Sequence, residues 1–424
     1  MNKLFSLFLI LFGIIQIQAQ NLPNILPENA IFDDAIKSVK VTLAGQELGQ
    51  PILKLNSGDQ LKLVFDDLDQ KDRFLKYTLI HCTHDWKFSP MNPIEYIDGF
   101  LEDEIKDFQN SFNTIQRYTQ YTLLFPNDLL KLTKSGNYIL FVYDGAPDKP
   151  VLTRRVMFEE SSSVGISGVV NAAVDVNFRD TKQQVDFTVY SGGYAIRNPA
   201  MYLHATIMQN GRWDNAITGL TYRSLKPGEF SFYFDNLNTN LFFGSSEFRT
   251  FDTRTLRNLS DRIVSINFDD RTNQAYVMED IARPFGAYET NTSLKGSCYY
   301  DNKDFEGDLT EDYVATYFSL RCDFKVTGGD LYVFGELTDW RIIPDAKLEY
   351  NEESKYWETA LFLKQGYYNY QYVFVPKGSK TIDATYIEGS HWQTGNDYTI
   401  LIYLQEEGTS YDKLIGSKIL NLKK

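Results

Sequence analysis

The sequence predicts an all-β chain built as tandem antiparallel sandwiches, and three observations carry that reading. The 424 residues include 28 Tyr and 30 Phe, side chains that fit a pleated, half-buried surface. Apolar and polar residues alternate with a period of two in short runs, each closed by turn residues. No amphipathic helical period persists for three turns.

Taken in order, the chain opens with Met1-Asn2-Lys3 and an apolar run over 4–15, followed by small Ala19. A bilayer crossing takes about 20 residues, so residues 1–19 are expected to be a cleaved signal peptide. A first sandwich is expected over 22–160. Its strands are the alternating runs 36–43, 61–65, 74–80, 118–125, 136–143 and 153–159, separated by turns such as Asn56-Ser57-Gly58-Asp59. Ser161-Ser162-Ser163 reads as a hinge. A second sandwich follows over 161–280, with strands at 164–177, 184–190, 201–209, 230–234, 247–256, 262–268 and 275–278. Asn210-Gly211 makes a tight turn within it, because both residues tolerate positive φ. The pattern breaks over 281–312, read as a linker or long loop. A third sandwich is expected over 313–424, from the VATYFSLRCDF run to YTILIYLQ and the segment after it.

The formal net charge of -14, with no clustered basic stripe, argues against nucleic acid and anionic membrane surfaces. Three cysteines, Cys82, Cys298 and Cys322, are too few for a disulfide scaffold. Their odd number leaves one thiol unpaired within the chain, and pairing of Cys298 with Cys322 stays open.

Chemistry concentrates in His81-Cys82-Thr83-His84-Asp85-Trp86, which runs on to Glu95-Tyr96-Ile97-Asp98-Gly99-Phe100. On a strand His81 and Asp85 share a face, and with His84 they are the nearest approach to a metal cluster or a metal-dependent enzyme. The second CxxC, HxH or HExxH needed to complete a ligand set is missing, so these side chains are expected to brace the turn by hydrogen bonds. No GxSxG elbow occurs. Carboxylate pairs such as Asp66-Asp67 read as solvated surface, as does the acidic stretch 301–312. Arg212-Trp213-Asp214 sits at a polar-aromatic hairpin tip, and Arg249 lies where it can pair with a carboxylate. Both are candidates either for turn-stabilising hydrogen bonds or for an interface, where exposed Trp and Arg often anchor binding. No catalytic, cofactor or metal residues are assigned.

Two resemblances add to this. Gly335-Glu336-Leu337-Thr338-Asp339-Trp340, with Trp357 and the YYNYQYVF run, resembles early-set immunoglobulin-like modules, among them glycogen-binding domains. That resemblance implies tandem immunoglobulin-like β-sandwiches and raises an alternative role as a carbohydrate-binding or glycan-processing accessory protein, with Trp340 and Trp357 exposed on one platform. Across most of the chain, HCTHDW, EYIDGF, Asn110-Ser111-Phe112-Asn113-Thr114, SGNYILFVYD, LTRR, QNGRWDNA and EFRTFDTR resemble, in order and spacing, the plug protein family of the type IX secretion system. The second resemblance implies a periplasmic protein at the inner face of the outer membrane that is not an enzyme and needs no cofactor. Its partner would be the translocon barrel, whose periplasmic opening it closes. Within that family reading His81, Asp85, Trp86, Tyr96, Arg212, Trp213, Asp214, Arg249 and Trp340 are the candidate interface or turn-bracing residues.

Overall fold

A computed structural model describes residues 25–233, 239–307 and 309–422. The expected leader, residues 20–24, Phe234 and Asp308 lie outside the described residues. The fold is nearly all β, with three helices of four residues each, Pro93–Tyr96, Pro199–Tyr202 and Thr385–Glu388.

In the first unit, four antiparallel strands lie in the order Ile36–Leu43, Leu61–Asp67, Thr119–Phe125 and Asp107–Asn110. They face Leu75–Cys82, Gly136–Asp144 and Pro150–Glu159 across a core holding Leu61, Leu63, Phe65, Tyr77 and Leu140. The strand Gly136–Asp144 is buried along both faces. Tyr138, Leu140 and Val142 enter that core, while Ile139, Phe141 and Tyr143 enter a second one behind it. This explains why GNYILFVY is a continuous apolar run instead of an alternating one.

Those strands are one half of a longer sheet. Its path runs Ile217–Leu220, Leu203–Gln209, Asp397–Gln405, Asp412–Asn421, Pro150–Glu159, Gly136–Asp144, Leu75–Cys82, Asp103–Glu104. The two halves meet where Glu159 pairs in parallel with Leu414 and the Glu160 N–H donates to the Leu414 carbonyl at 2.8 Å. The middle unit packs Gly165–Ala172, Lys182–Tyr190 and Glu229–Phe232 onto the far half, burying Val185, Phe187 and Val189 against Ile207, Ile400 and Ile402.

The division into three contiguous sandwiches needs correction at two places. The C-terminal strands Asp397–Gln405 and Asp412–Asn421 complete the middle unit, where Leu203–Gln209 pairs with Asp397–Gln405. Conversely Arg249–Asp252, Ile263–Asn267 and Asn273–Val277 pair within the third unit, against Gly366–Pro376 and Tyr313–Arg321. The stretch 281–312 also supplies a strand, Cys298–Tyr300, to that unit. Alternation marks a strand and its buried face but carries no information about its neighbour. All three cysteines are free thiols.

Charges expected on the surface are buried, and one of them joins two units. Asp66 and Asp67 are both 0% exposed. Asp67 pairs with Arg73 at 2.6 Å. Asp66 crosses to the third unit, where Lys364 Nζ and the Tyr313 hydroxyl each lie 2.8 Å from its Oδ2. Within the acidic stretch, Asp312 accepts the backbone N–H groups of Ile115 and Gln116 at 2.7 and 3.0 Å, a second tie between the first and third units.

Two outcomes follow. Lys364→Met leaves Asp66 buried without its cation and lowers urea stability by about 3–5 kcal/mol, and adding Asp66→Asn recovers most of the loss. A fragment limited to residues 161–280 lacks the strands that close the middle core, and its far-UV circular dichroism and amide spectra show an unfolded chain; a folded spectrum would contradict the shared sheet.

Candidate interface cleft

The HCTHDW stretch is a strand end that folds back on itself. Cys82 bridges to Phe88, with the Thr83 N–H donating to Lys87 O at 2.8 Å and the Ser89 N–H to His81 O at 3.0 Å. Trp86, at the tip, takes φ 58°. The Thr83 hydroxyl donates to Asp85 at 2.5 Å, and Asp85 pairs with Lys87 at 2.7 Å. Asp85 thus braces the turn from its solvent side.

His81 turns inward. Its ring lies 4.9 Å from Tyr138 and 5.8 Å from Tyr96. Nε2 is 3.3 Å from the Ser135 carbonyl, whereas Nδ1 has no partner. Gly136 makes this possible: at φ +132° a Cβ would stand 2.7 Å from both His81 Nε2 and the Asp412 carbonyl. Burial pushes the His81 imidazole down to about 4 against the opposing pull of Ser135, so it is neutral at pH 7. Tyr96 closes the pocket from the Pro93–Tyr96 helix, whose Asn92 and Glu95 form a capping box. His84 goes elsewhere. Its backbone N–H and Nδ1 lie 2.8 and 3.0 Å from Asp412 Oδ2, and its ring stacks on His204 at 4.0 Å. His81, His84 and Asp85 therefore do not converge, and among the described residues no three His, Cys, Asp or Glu side chains are placed to hold a metal.

Trp86 leads to the place where the three units meet. Its ring packs edge-on to Trp213 at 5.0 Å, and the Arg155 guanidinium sits over both, 4.6 Å from Trp86 and 5.2 Å from Trp213. Burial, partly offset by Glu28, pushes Arg155 down to about 10, which still leaves it a cation at neutral pH. Arg212 is clamped by Asp214 through contacts of 2.9 and 2.5 Å and lies 5.0 Å from the rings of Phe334 and Trp340. Trp340, itself at φ 53°, closes over Gly296, where a Cβ would stand 2.2 Å from its ring. Behind it Arg154 meets Asp339 at 3.1 Å. Of these residues Arg155, Arg212, Trp213, Asp214, Asp339 and Trp340 wall a cleft of about 390 Å³. Five candidates named from sequence, Trp86, Arg212, Trp213, Asp214 and Trp340, gather at or beside it from all three units.

Arg249 is not among them. It is 8% exposed and joins Asp280 at 2.6 Å and Glu388 at 2.9 Å. Asp280 also accepts the Tyr370 and Tyr372 hydroxyls, and Glu388 also pairs with Arg283 at 2.7 Å. The cluster is an internal clamp in the third unit. Trp340 and Trp357 do not form one platform: Trp340 is taken up by the cleft, while Trp357 lies on the opposite sheet of the third unit, against Tyr350. Arg155 was not among the candidate residues, although it sits in the LTRR motif and in the Arg154-Arg155 pair of a buried strand.

His81 sets one pH limit of stability. Below pH 6.5 an unfolded chain takes a proton that the folded ring refuses until about pH 4. Stability contributed by the neutral ring is therefore present above pH 6.5 and lost as the pH falls toward 4, by roughly 3 kcal/mol. In His81→Phe, urea titrations between pH 7 and 4 lose that component of the slope.

Comparison with known proteins supports the family that the motifs resemble. Residues 36–160 match the family described as the type 9 secretion system plug protein 1st domain. The chain is similar to a solved structure of a hypothetical protein from Parabacteroides merdae, with TM-score 0.89 and 32% identity over 94% of this chain and 100% of that one. Dimeric latent PorU from Porphyromonas gingivalis gives a TM-score of only 0.15 at 10% identity, over 91% of this chain and 34% of that one. No curated protein matches. The motif-bearing turn, the strand Gly136–Asp144 and Arg154-Arg155 all fall within the matched segment, and the chain belongs to the type 9 secretion system plug family.

Proposed function

We propose that this protein is a periplasmic plug that docks on the outer-membrane translocon barrel of type IX secretion and closes its periplasmic opening by steric occlusion, without turnover. The observation that carries the reading is the family match over 36–160 in a chain whose three units are tied into one body. A wide pore leaks small solutes unless a stiff body covers it, and stiffness is what a shared sheet and buried inter-unit ion pairs supply. No helix among the described residues is long and apolar enough to cross a membrane, and a net charge of -14 favours solubility when the plug is released. Release then requires a competitor with greater affinity for one of the two states of the pore.

One exposed apolar patch suits docking. Phe100 is 64% and Ile94 71% exposed, and Phe74, Leu101 and Leu129 are exposed as well. The Phe100 N–H donates to Leu129 O at 2.8 Å, the Thr78 hydroxyl to Leu101 O at 2.6 Å, and Lys76 lies over Phe74. These residues border the end of the long sheet, in the matched segment. Exposed apolar side chains grouped along one edge mark interaction sites when they form a continuous surface.

The test is affinity recovery of the C-terminally tagged chain from gently solubilised envelopes, followed by mass spectrometry. Stoichiometric recovery of a very large outer-membrane barrel is expected, with loss of that band in a Phe100→Asp, Leu101→Asp double variant that retains its fold. Recovery of the protein alone, or on a glycan, would sink the plug reading.

A further inference from the structure

The outer face of the six-stranded sheet in the third unit meets the first unit at Tyr313 and Lys364 and continues beyond them. On it Tyr276 and Tyr317 stand side by side on neighbouring parallel strands, their rings stacked at 4.6 Å and 9°. Tyr276 thus covers one face of the Tyr317 ring. Beyond the other face, the register partner of Tyr317 on Trp357–Lys364 is Ala360, which is exposed. A methyl group there leaves the ring bordering a cleft of about 710 Å³, rimmed by Ser319, Glu349, Asn351 and Glu358.

The rim is electrostatically unfinished. Glu349 and Glu358 are register partners on adjacent strands, and like charges directly opposed destabilise a sheet. Lys347 reaches Glu349 at 3.2 Å. Glu358 is held by neutral donors instead, the Ser354 hydroxyl at 2.7 Å and the Asn351 amide at 2.9 Å, which orient the carboxylate without neutralising it.

We propose that this cleft receives an arginine or lysine side chain from a basic segment of a partner protein, the cation lying on the free face of Tyr317 and paired with Glu358. Charge complementarity selects that occupant. A ring face attracts a cation by its quadrupole, and the opposed carboxylates supply the counter-charge that an anionic ligand would meet as repulsion. A neutral saccharide can stack on the ring but leaves both glutamates as they are. The inference concerns a different surface from the apolar patch and stands apart from the plug reading.

The experiment is calorimetric titration of the full-length protein with acetyl-Arg-Gly-Arg-Gly-Arg-amide, with the same peptide carrying neutral citrulline for arginine, and with maltohexaose. Only the arginine peptide is expected to bind. Tyr317→Leu and Glu358→Gln each weaken it about three- to tenfold. Ala360→Phe, which fills the slot while leaving the tyrosine and the glutamates in place, weakens it as well. Glu407→Gln, removing the same charge from an exposed turn of the middle unit, leaves affinity unchanged. Thermal melts identify any variant that has lost its fold, and the remaining substitutions then decide. Absence of arginine-peptide binding, equal affinity across the cleft variants and wild type, or binding of maltohexaose in place of the peptide would overturn the proposal.

Discussion

The ion pair between Asp66 and Lys364 constrains how the first and third units meet. Both side chains are sealed from water, at 0% and 2% exposure, and they belong to different units. A buried ion costs several kcal/mol in lost hydration, which is recovered only when its partner and its remaining hydrogen bonds are in place. Here Tyr313 and Gln120 add donors to Asp66, and Lys364 lies 4.2 Å from the Tyr118 ring. Any sliding of the first unit against the third would strand a charge in an apolar seam. The pair therefore contributes little net stability while strongly favouring one arrangement.

The same device recurs where the other units join. Arg154 meets Asp339, and Arg155 is held between two tryptophans. Inside the third unit Arg249 likewise gathers Asp280 and Glu388 with the tyrosines around them. Aromatic rings are the second half of the device, because they accept a guanidinium on their faces while filling the space between sheets. The abundance of Tyr and Phe thus serves the joints as well as the strands. A body closed in this way resists bending at Ser161-Ser162-Ser163, where a hinge was expected: the Ser162 hydroxyl donates to Ile415 O at 2.5 Å, tying that segment to the C-terminal strand. Stiffness across the joints is the property on which the proposed capping role rests.

Several features were legible without coordinates. The runs at 36–43, 61–65 and 136–143 became strands because alternation, or its replacement by a continuous apolar run, reports burial face by face. HCTHDW was legible as a braced turn, since Thr and Asp compete for backbone and side-chain donors at such positions. Asp66-Asp67 was misread because adjacent carboxylates look solvated until their cations, Lys364 and Arg73, are known. Arg249 was legible as a partner for a carboxylate, but not which one, its partners at 280 and 388 being distant in sequence. Trp340 and Trp213 were marked as anchors, and both lie at the cleft. That Arg155 should join Trp213 with Trp86 was invisible, because the three come from separate turns and strands.

By itself the sequence determined the β class, the position of most strands, the braced turn after Cys82 and, through colinear motifs, the family. These are local properties, set by side-chain period, turn chemistry and short-range hydrogen bonds. Tertiary structure alone decided that the C-terminal strands close the middle unit, that one sheet serves two cores, and where each buried charge finds its partner. Such choices depend on which faces meet across hundreds of residues, and a period of two fixes a strand's faces while leaving its neighbour undetermined.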